Sequence, residues 1–300
     1  MTDIPADAAI VAPSRGVDAA QSVWQLRWRR FRRHRAGMAS LAVLAILVLF
    51  CLLAYPLESY LGLDSNATDL LSRFDPPSGT HWLGTDDGGR DELLRLMYGG
   101  QISLLVGLIA TVIGGAVGVT LGLVAGYFGG VVDTLISRCA DAVLACPFLV
   151  LAIALAAFLG PSLGNTMIAI GVSAVPIFVR LTRGETLTVR EEDYICAAIS
   201  QGLPTARILA GHVLPNVMPP IVVQATLTTA IAVLAEASLA FLGLGQLPPA
   251  PSWGSMLDSA RQFLLDAPWM AVSPGLAIVI LVIGFNLLGD ALNDVLNPRS

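Results

Sequence analysis

The chain has 300 residues, of which 55% are hydrophobic and only 13% charged, and its formal net charge is −5. A mean hydropathy of +0.73 excludes an ordinary soluble domain and indicates a membrane protein with several spans. The chain contains no lysine, which excludes a P-loop ATPase site and a lysine Schiff-base enzyme, and nothing in its charge pattern indicates nucleic-acid binding.

Long apolar segments recur along the chain at the length that a membrane helix requires. About 20 residues cross the hydrocarbon layer as a helix, and a helix satisfies its own backbone hydrogen bonds where water is absent. The predicted fold class is therefore an all-α membrane protein with six transmembrane helices. These helices are predicted at residues 38–55, 102–124, 142–159, 166–181, 217–241 and 271–288.

The positions of the arginines predict the orientation of the helices. With the N-terminus in the cytoplasm, most arginines lie inside, as the positive-inside rule requires, and the exceptions are Arg73, Arg90, Arg95 and Arg261. The acidic loop at residues 56–101 then faces the exterior, and the five helices of the core occupy residues 102–294. Both terminal segments, residues 1–37 and 295–300, are predicted to be cytoplasmic.

The N-terminal segment ends in an arginine-rich stretch that also carries regularly spaced aromatic residues. Trp24, Trp28 and Phe31 follow helical spacing, which predicts a helix lying in the inner membrane interface. The alternative is a plain basic flank without a fixed helix. The span at 38–55 has a long segment before it and no small-residue cleavage site after it, so we expect an anchor rather than a cleaved signal peptide.

Small residues recur every four positions along the second predicted span. Such a ridge lets another helix approach closely, and it serves either a moving or subunit-contact surface or ordinary packing inside the bundle. The spacing alone favours ordinary packing slightly. The ridge consists of Ala110, Gly114, Gly118, Gly122 and Gly126, and Gly130 continues the series.

No metal site is predicted. The cysteines lack the spacing of a metal or redox motif and are expected to be free thiols, and the histidines are scattered over different segments. The residues concerned are Cys51, Cys139, Cys146 and Cys196 together with His34, His81 and His212.

One carboxylate stands out at membrane depth. Glu236 lies within the fifth predicted span near Thr229 and Ser238. A carboxylate facing lipid would cost roughly 2.5 to 3.5 kcal/mol, so Glu236 should face the bundle interior, a partner or a water-filled cavity. These three residues are therefore candidates for lining a translocation pathway, and a structural hydrogen bond near the outer interface is the equally weighted alternative.

A polar island separates the fourth and fifth spans, at residues 184–216. Acidic residues at 191–193 favour a helix start, Gly202 permits a turn, and Pro204 can begin a second short helix. Two short helices joined at a glycine, with small alanines on their surface, would form a compact knob. The island is therefore predicted to dock into a groove of a cytoplasmic partner.

With this island the chain resembles the membrane permeases of binding-protein-dependent ATP-binding-cassette (ABC) importers, in the branch that handles peptides, glutathione and nickel. The family motif contains EAA, then glycine, then isoleucine and LP, and the matching residues are Ala197, Ala198, Gly202, Ile208, Leu214 and Pro215. Cys196 stands where the family usually has glutamate. Further signatures are HWLGTDDGGRD at 81–91, FLGLG at 241–245, PPAPSWGSML at 248–257 and NLLGDALNDVLNPR at 286–299.

The resemblance implies a type I importer permease in the bacterial inner membrane that imports short peptides. It implies a second similar permease, two cytoplasmic ATP-binding subunits, which hold ATP and Mg, and an extracytoplasmic solute-binding protein, with no cofactor in this chain. The residues implied in coupling to the ATPase are Tyr194, Ala197, Ala198, Gly202, Leu203, Ala206, Ile208 and Leu209.

Other functions stay open on sequence grounds. Glutathione or nickel chelates are alternative substrates within the same family. A secondary transporter is disfavoured because no inverted repeat and no chain of buried carboxylates is evident. An intramembrane enzyme is disfavoured because no histidine lies inside a predicted span to serve as a base.

Overall fold

The computed structural model describes residues 23–62 and 64–296. Within these ranges the regular secondary structure is helical, apart from an isolated β-bridge between Thr85 and Asp91, and turns and irregular segments join the helices. The helices are α1 (Val23–Arg33), α2 (Arg35–Leu52), α3 (Ala54–Leu61), α4 (Glu92–Phe128), α5 (Gly130–Leu144), α6 (Phe148–Leu159), α7 (Leu163–Arg190), α8 (Asp193–Ser200), α9 (Thr205–Ile208), α10 (Leu214–Phe241), α11 (Trp253–Ala260) and α12 (Trp269–Leu296).

Five helical stretches in the described residues are long and apolar enough to cross a membrane: α2, α4, α7, the stretch 205–241 that contains α9 and α10, and α12. The all-helical membrane fold is thus confirmed. Several helices are longer than their predicted spans; α4 begins at Glu92, inside the predicted loop at 56–101, and α7 continues to Arg190. Hydropathy detects only the apolar part of a helix, whereas backbone hydrogen bonding continues into its polar ends.

The third predicted span is not one continuous helix. α5 and α6 are bent by 88° at a break before Phe148, so the prediction of a single helix over 142–159 was wrong, although the bent pair counted as one span brings the total to six. Pro147 causes the break because it lacks an N–H and disfavours helical backbone at Cys146. Pro147 has extended backbone, with φ −55° and ψ 134°, and becomes the cap of α6.

The small-residue ridge of α4 packs against α7 of the same chain. A Cβ atom placed on Gly118 would lie 2.5 Å from Cβ of Phe178, and one placed on Gly122 would lie 2.7 Å from Cβ of Thr182. The two backbones therefore approach as closely as glycine allows. Ordinary packing inside the bundle accounts for the ridge from Gly114 to Gly126, whereas a Cβ on Gly130 would meet open space.

At one end of the bundle, a polar cap covers α4, α11 and α12. Asp86 ion-pairs with Arg90 and Arg95, at 2.7 Å and 3.1 Å, and all three side chains are largely buried. The indole N–H of Trp253 donates to the carbonyl of Leu96 at 2.9 Å, and that ring is fully buried. The signature segments at 81–91 and 248–257 thus form an ordered cap rather than loose loops.

The predicted interfacial helix is present as α1. Phe31 is buried against Ala291 and Val295 of α12, while Trp28 is 55% exposed and stacks on Phe31 with ring centroids 5.8 Å apart. One aromatic residue thus anchors α1 to the bundle and another faces outward. The side chain of Trp24 and the segments 1–22 and 297–300 lie outside the described residues, and the interfacial placement stays a prediction.

Candidate coupling and translocation sites

The polar island at 184–216 begins at the end of α7. Arg190 is the last residue of α7, and its guanidinium donates a 2.9 Å hydrogen bond to the carbonyl of Tyr127 near the end of α4. The chain then turns at Glu191 and Glu192, and Asp193 occupies the first turn of α8, where the helix dipole favours negative charge. This places α8 at the end of the bundle opposite the polar cap.

Gly202 terminates α8 through a Schellman-type cap. Its φ of +72° is a left-handed conformation that glycine adopts without strain. The N–H of Gly202 donates to the carbonyl of Ile199 at 2.9 Å, and the N–H of Leu203 donates to the carbonyl of Ala198 at 3.3 Å. The cap reverses the chain and sets the angle between α8 and α9. We call residues 191–208 the knob.

The knob has a buried face and an exposed face. Ile195, Ala198 and Ile208 are buried and pack in one cluster with Phe178 of α7 and Val217 of α10. These side chains hold the knob to the bundle. Among the predicted coupling residues, Ala198 and Ile208 are therefore packing residues in this structure.

The other predicted coupling residues reach the surface. Tyr194, Ala197, Gly202 and Ala206 are exposed, and Leu203 and Leu209 are half-buried at the edge of the cluster. Cys196, which replaces the usual glutamate of the motif, is also exposed. Partial burial raises the pKa of the Tyr194 phenol, so this side chain is a neutral hydrogen-bonding group at pH 7. The exposed face thus combines small residues with larger side chains such as Tyr194 and Ile199, which is 52% exposed.

The knob is continuous with α10. After α9 comes one π-helical turn at Leu209–Val213, and α10 follows without a break. The whole stretch 205–241 is therefore one helical body. Displacement of the knob would act directly on this helix and, through the two-residue turn at 191–192, on α7.

Two ion pairs that sequence reasoning missed join α5 to α7. The guanidinium of Arg183 holds Asp133 in a two-pronged contact, in which Nη2 lies 2.7 Å from Oδ2. Arg180 contacts Asp141 at 2.6 Å. The available signal was the spacing of Arg180 and Arg183, which are three residues apart and so share one face of α7.

Glu236 lies in a fully buried polar cluster. The hydroxyl of Ser103 on α4 donates to Oε2 of Glu236 at 2.8 Å, and the backbone N–H of Trp253 donates to that hydroxyl at 3.3 Å. The other carboxylate oxygen has no hydrogen-bond partner, and Glu236 is 0% exposed. Glu236 thus links α10, α4 and the start of α11.

The three candidate pathway residues lie in three different environments. Thr229 is buried, and its hydroxyl lies 3.0 Å from the hydroxyl of Thr111. Ser238 is half-buried in a groove beside Phe241 and Leu257 and donates to the carbonyl of Leu234. In this conformation the three residues do not share one surface, and their role in a pathway stays a prediction.

The described residues contain no group of three or more His, Cys, Asp or Glu side chains arranged to hold a metal ion. The chain also lacks lysine throughout, so it cannot supply the lysine of a P-loop. The candidate functional elements are therefore the exposed face of the knob, the helices α7 and α10 that are joined to it, and the buried polar cluster at Glu236.

Comparison with known proteins shows the family. The model described as "Binding-protein-dependent transport system inner membrane component" matches residues 118–300, and the model described as "N-terminal TM domain of oligopeptide transport permease C" matches residues 22–77. The chain belongs to the binding-protein-dependent ABC transporter permeases. Within this class it falls in the OppC/DppC-like peptide permease family.

Individual relatives and solved structures agree with this assignment. The dipeptide transport system permease protein DppC of Alkalihalophilus pseudofirmus is 46% identical over 232 residues, which are 77% of this chain and 76% of the relative. DppC of Escherichia coli K12 is 50% identical over 222 residues, 74% of each chain. A chain of the inward-facing MetNI methionine ABC transporter superposes with a TM-score of 0.55 at 19% identity, covering 67% of this chain and 95% of that one.

The family settles the functional class. The chain is a multi-pass permease component of a bacterial ABC importer and not the catalytic ATPase. Its class implies an ATPase partner and a solute-binding protein. The likeness to MetNI shows the permease fold alone.

Proposed function

We propose that this chain forms half of the translocation pathway for short peptides in an ATP-driven importer. Support comes from relatives whose names specify dipeptide transport and that are 46% and 50% identical to it. The other half of the pathway is a second, similar permease. Two ATP-binding subunits supply ATP and Mg on the cytoplasmic side, and a solute-binding protein delivers peptide from the outside.

The exposed face of the knob docks into these ATP-binding subunits. Tyr194, Ala197, Gly202 and Ala206 are exposed at the bundle end opposite the polar cap, and buried Ile195 and Ile208 fix the knob to the bundle. Small exposed side chains suit close insertion into a groove, because they lose little conformational freedom on binding. The single observation that carries the proposal is this division of the knob into an anchored face and a free face.

Coupling is mechanical in this proposal. Closure of the ATP-binding subunits moves the knob, which is continuous with α10 and joined to α7 through a short turn. These helices shift the permease from inward-facing to outward-facing, and hydrolysis resets it. Thr229, Glu236 and Ser238 are proposed to line or support the pathway during this shift.

The proposed topology places both termini, residues 1–37 and 295–300, and the knob in the cytoplasm, and the loop at 56–101 outside. Exposed Cys196 on the knob offers a native probe. In a variant whose other cysteines are replaced by serine, a membrane-impermeant maleimide should label Cys196 in inside-out vesicles and leave it unlabelled in intact cells. Labelling only in intact cells would show that the knob lies outside the cell and that the topology is the opposite of the one proposed.

Reconstitution tests the function itself. Proteoliposomes that contain this chain, its partner permease and its ATP-binding subunits should take up dipeptide when ATP and the binding protein are supplied. Deletion of residues 197–202 should abolish uptake while the remaining chain still inserts and purifies. Uptake that survives this deletion would contradict the docking role of the knob, and uptake of glutathione or nickel chelates in place of peptide would identify the alternative substrate class.

A further inference from the structure

A cavity of about 570 Å³ lies beside α3 and the first turns of α4, at the bundle end opposite the knob. Its lining includes Glu58, Asp64, Asn66, Tyr98 and Gln101. This volume falls in the range of about 300 to 1,000 Å³ that is typical of small-molecule sites. Neither the coupling site nor the buried cluster at Glu236 uses it.

The cavity presents hydrogen-bond acceptors and negative charge. Two carboxylates line it, and among the described residues no arginine or histidine belongs to its lining. Arg95 contacts a lining residue without lining the cavity itself: its guanidinium donates to the carbonyls of Ser65 and Pro249 at 3.4 Å and 3.3 Å and pairs with Asp86. The charge of Arg95 is therefore balanced outside the cavity, and that of Glu58 and Asp64 is left for a ligand.

The acceptors are fixed in position by the surrounding structure. One oxygen of Glu58 accepts the backbone N–H of Ser65 at 2.7 Å, and the other accepts the hydroxyl of Tyr98. The side-chain nitrogen of Gln101 donates to the carbonyl of Cys51 at 2.7 Å, which leaves its oxygen to accept from a ligand. Each carboxylate oxygen has a second lone pair, so Glu58 can accept another hydrogen bond without losing its support.

We propose that this cavity binds the N-terminal ammonium group of a peptide on its way into the transporter, an inference that rests on the proposed peptide-import function. An ammonium group carries three donors and no acceptor, which complements a wall of carboxylate and amide oxygens. Glu58, Asp64 and Asn66 lie within residues 22–77, which match the N-terminal domain of oligopeptide permeases, while Tyr98 and Gln101 come from α4. The cavity thus exists only where that domain meets the core.

A metal ion fits this cavity less well than an ammonium group. Calcium takes six to eight oxygen ligands, whereas the cavity offers two carboxylates and a few neutral groups. No group of three or more metal-binding side chains occurs in the described part of the chain.

The test uses the complete transporter in nanodiscs, with and without its binding protein. A Glu58→Gln, Asp64→Asn double variant removes both charges but keeps the shape of the cavity, and Asp266→Asn is the matched control outside it. Saturation-transfer NMR without binding protein should detect alanyl-alanine on the wild type and the control. The double variant should weaken this binding by about tenfold, the loss expected for one charge-assisted hydrogen bond.

N-acetyl-alanyl-alanine, which lacks the ammonium group, should show no saturation transfer with any of the three proteins. Equal binding of both peptides, or equal binding by the wild type and the double variant, would overturn the inference. A double variant that binds peptide normally but requires more binding protein for uptake would also overturn it, and would assign the cavity to a cationic side chain of that protein. If the wild type imports no peptide at all, the proposed function itself fails; if the double variant imports with an unchanged KM, only the ammonium site fails.

Discussion

The two ends of the bundle are stabilised in different ways. At the polar cap, Asp86, Arg95 and Trp253 are buried and satisfied by contacts within the chain. At the knob, a few apolar residues such as Ile195 attach two short helices, and the residues on the other side, among them Ala197 and Tyr194, are exposed. The cap is thus held together mainly by buried polar contacts, whereas the knob is attached by a few apolar side chains and leaves its other face exposed.

The largest expected effect comes from breaking the cap at Asp86. Asp86→Ala leaves Arg90 and Arg95 without their shared carboxylate, and two backbone N–H groups, those of Gly88 and Arg90, without their acceptor. Removal of one partner of a buried ion pair costs about 3 to 5 kcal/mol. We expect little folded protein, measured as thermal unfolding and monodispersity in detergent.

Asp87→Ala is the control for the cap. Asp87 is partly exposed and makes a single 3.2 Å contact with Arg90, so we expect a change in stability below about 1 kcal/mol. Equal destabilisation by the two variants would show that the buried network does not hold the cap.

At the knob, Ala197→Arg should abolish transport and leave the fold intact. Ala197 is exposed, so the larger side chain meets no neighbour in this chain, but it would clash within a partner's groove. We expect normal thermal unfolding, loss of co-purification with the ATP-binding subunits and at least tenfold lower uptake. Ala210→Arg, another exposed alanine just beyond the knob, is the control; retained uptake in Ala197→Arg would argue against docking through this face.

Gly202→Ala should have an intermediate effect. An alanine in the left-handed conformation of this cap costs about 1 to 2 kcal/mol, while no atom stands within 4 Å of the position that its Cβ would occupy. The strain therefore acts on the angle between α8 and α9 and not on packing. We expect partly reduced ATP-dependent uptake at unchanged insertion, and Gly211→Ala, a glycine without positive φ, should leave uptake unchanged.

The smallest effect is expected at the ion pair between α5 and α7. Arg183 and Asp133 are 34% and 17% exposed, so their pair lies between a surface and a buried one. Arg183→Gln should lower stability by about 1 kcal/mol, and the exchange Asp133→Arg with Arg183→Asp should restore part of the loss. A double-mutant cycle by thermal unfolding measures this coupling. A coupling energy of zero would show that the ion pair does not stabilise the contact between α5 and α7.

The sequence predicted those features that depend on local composition. Hydropathy located the spans, the glycine ridge indicated a close helix contact, and the pattern around Gly202 indicated two short helices. Hydropathy placed one helix over 142–159 and did not show the break at Pro147, because the bend of a helix at proline depends on what its two halves pack against. The division of the knob into Ile195 on one side and Ala197 on the other follows from helical period, but only the fold shows which side faces the bundle.

Contacts between segments that are distant in the sequence could not be predicted from a single sequence. Ser103 and Glu236 form a hydrogen bond although they are 133 residues apart in the sequence, and Arg183 and Asp133 lie on different helices. Nothing local distinguishes Ser103 from any other serine in an apolar span. The cavity lined by Glu58 and Gln101 could not be predicted for the same reason, since these residues become neighbours only when α3 lies beside α4.

The unbroken stretch from 205 to 241 has a geometric consequence. A helix of this length measures about 55 Å at 1.5 Å per residue, so a tilt of about 10° around its middle would carry each end through about 5 Å in opposite directions. A displacement of one end of the helix is therefore accompanied by a displacement of similar size at the other end. Glu236 lies near the C-terminal end of this stretch, so a displacement of the knob at the other end would reach the carboxylate that accepts the hydrogen bond of Ser103.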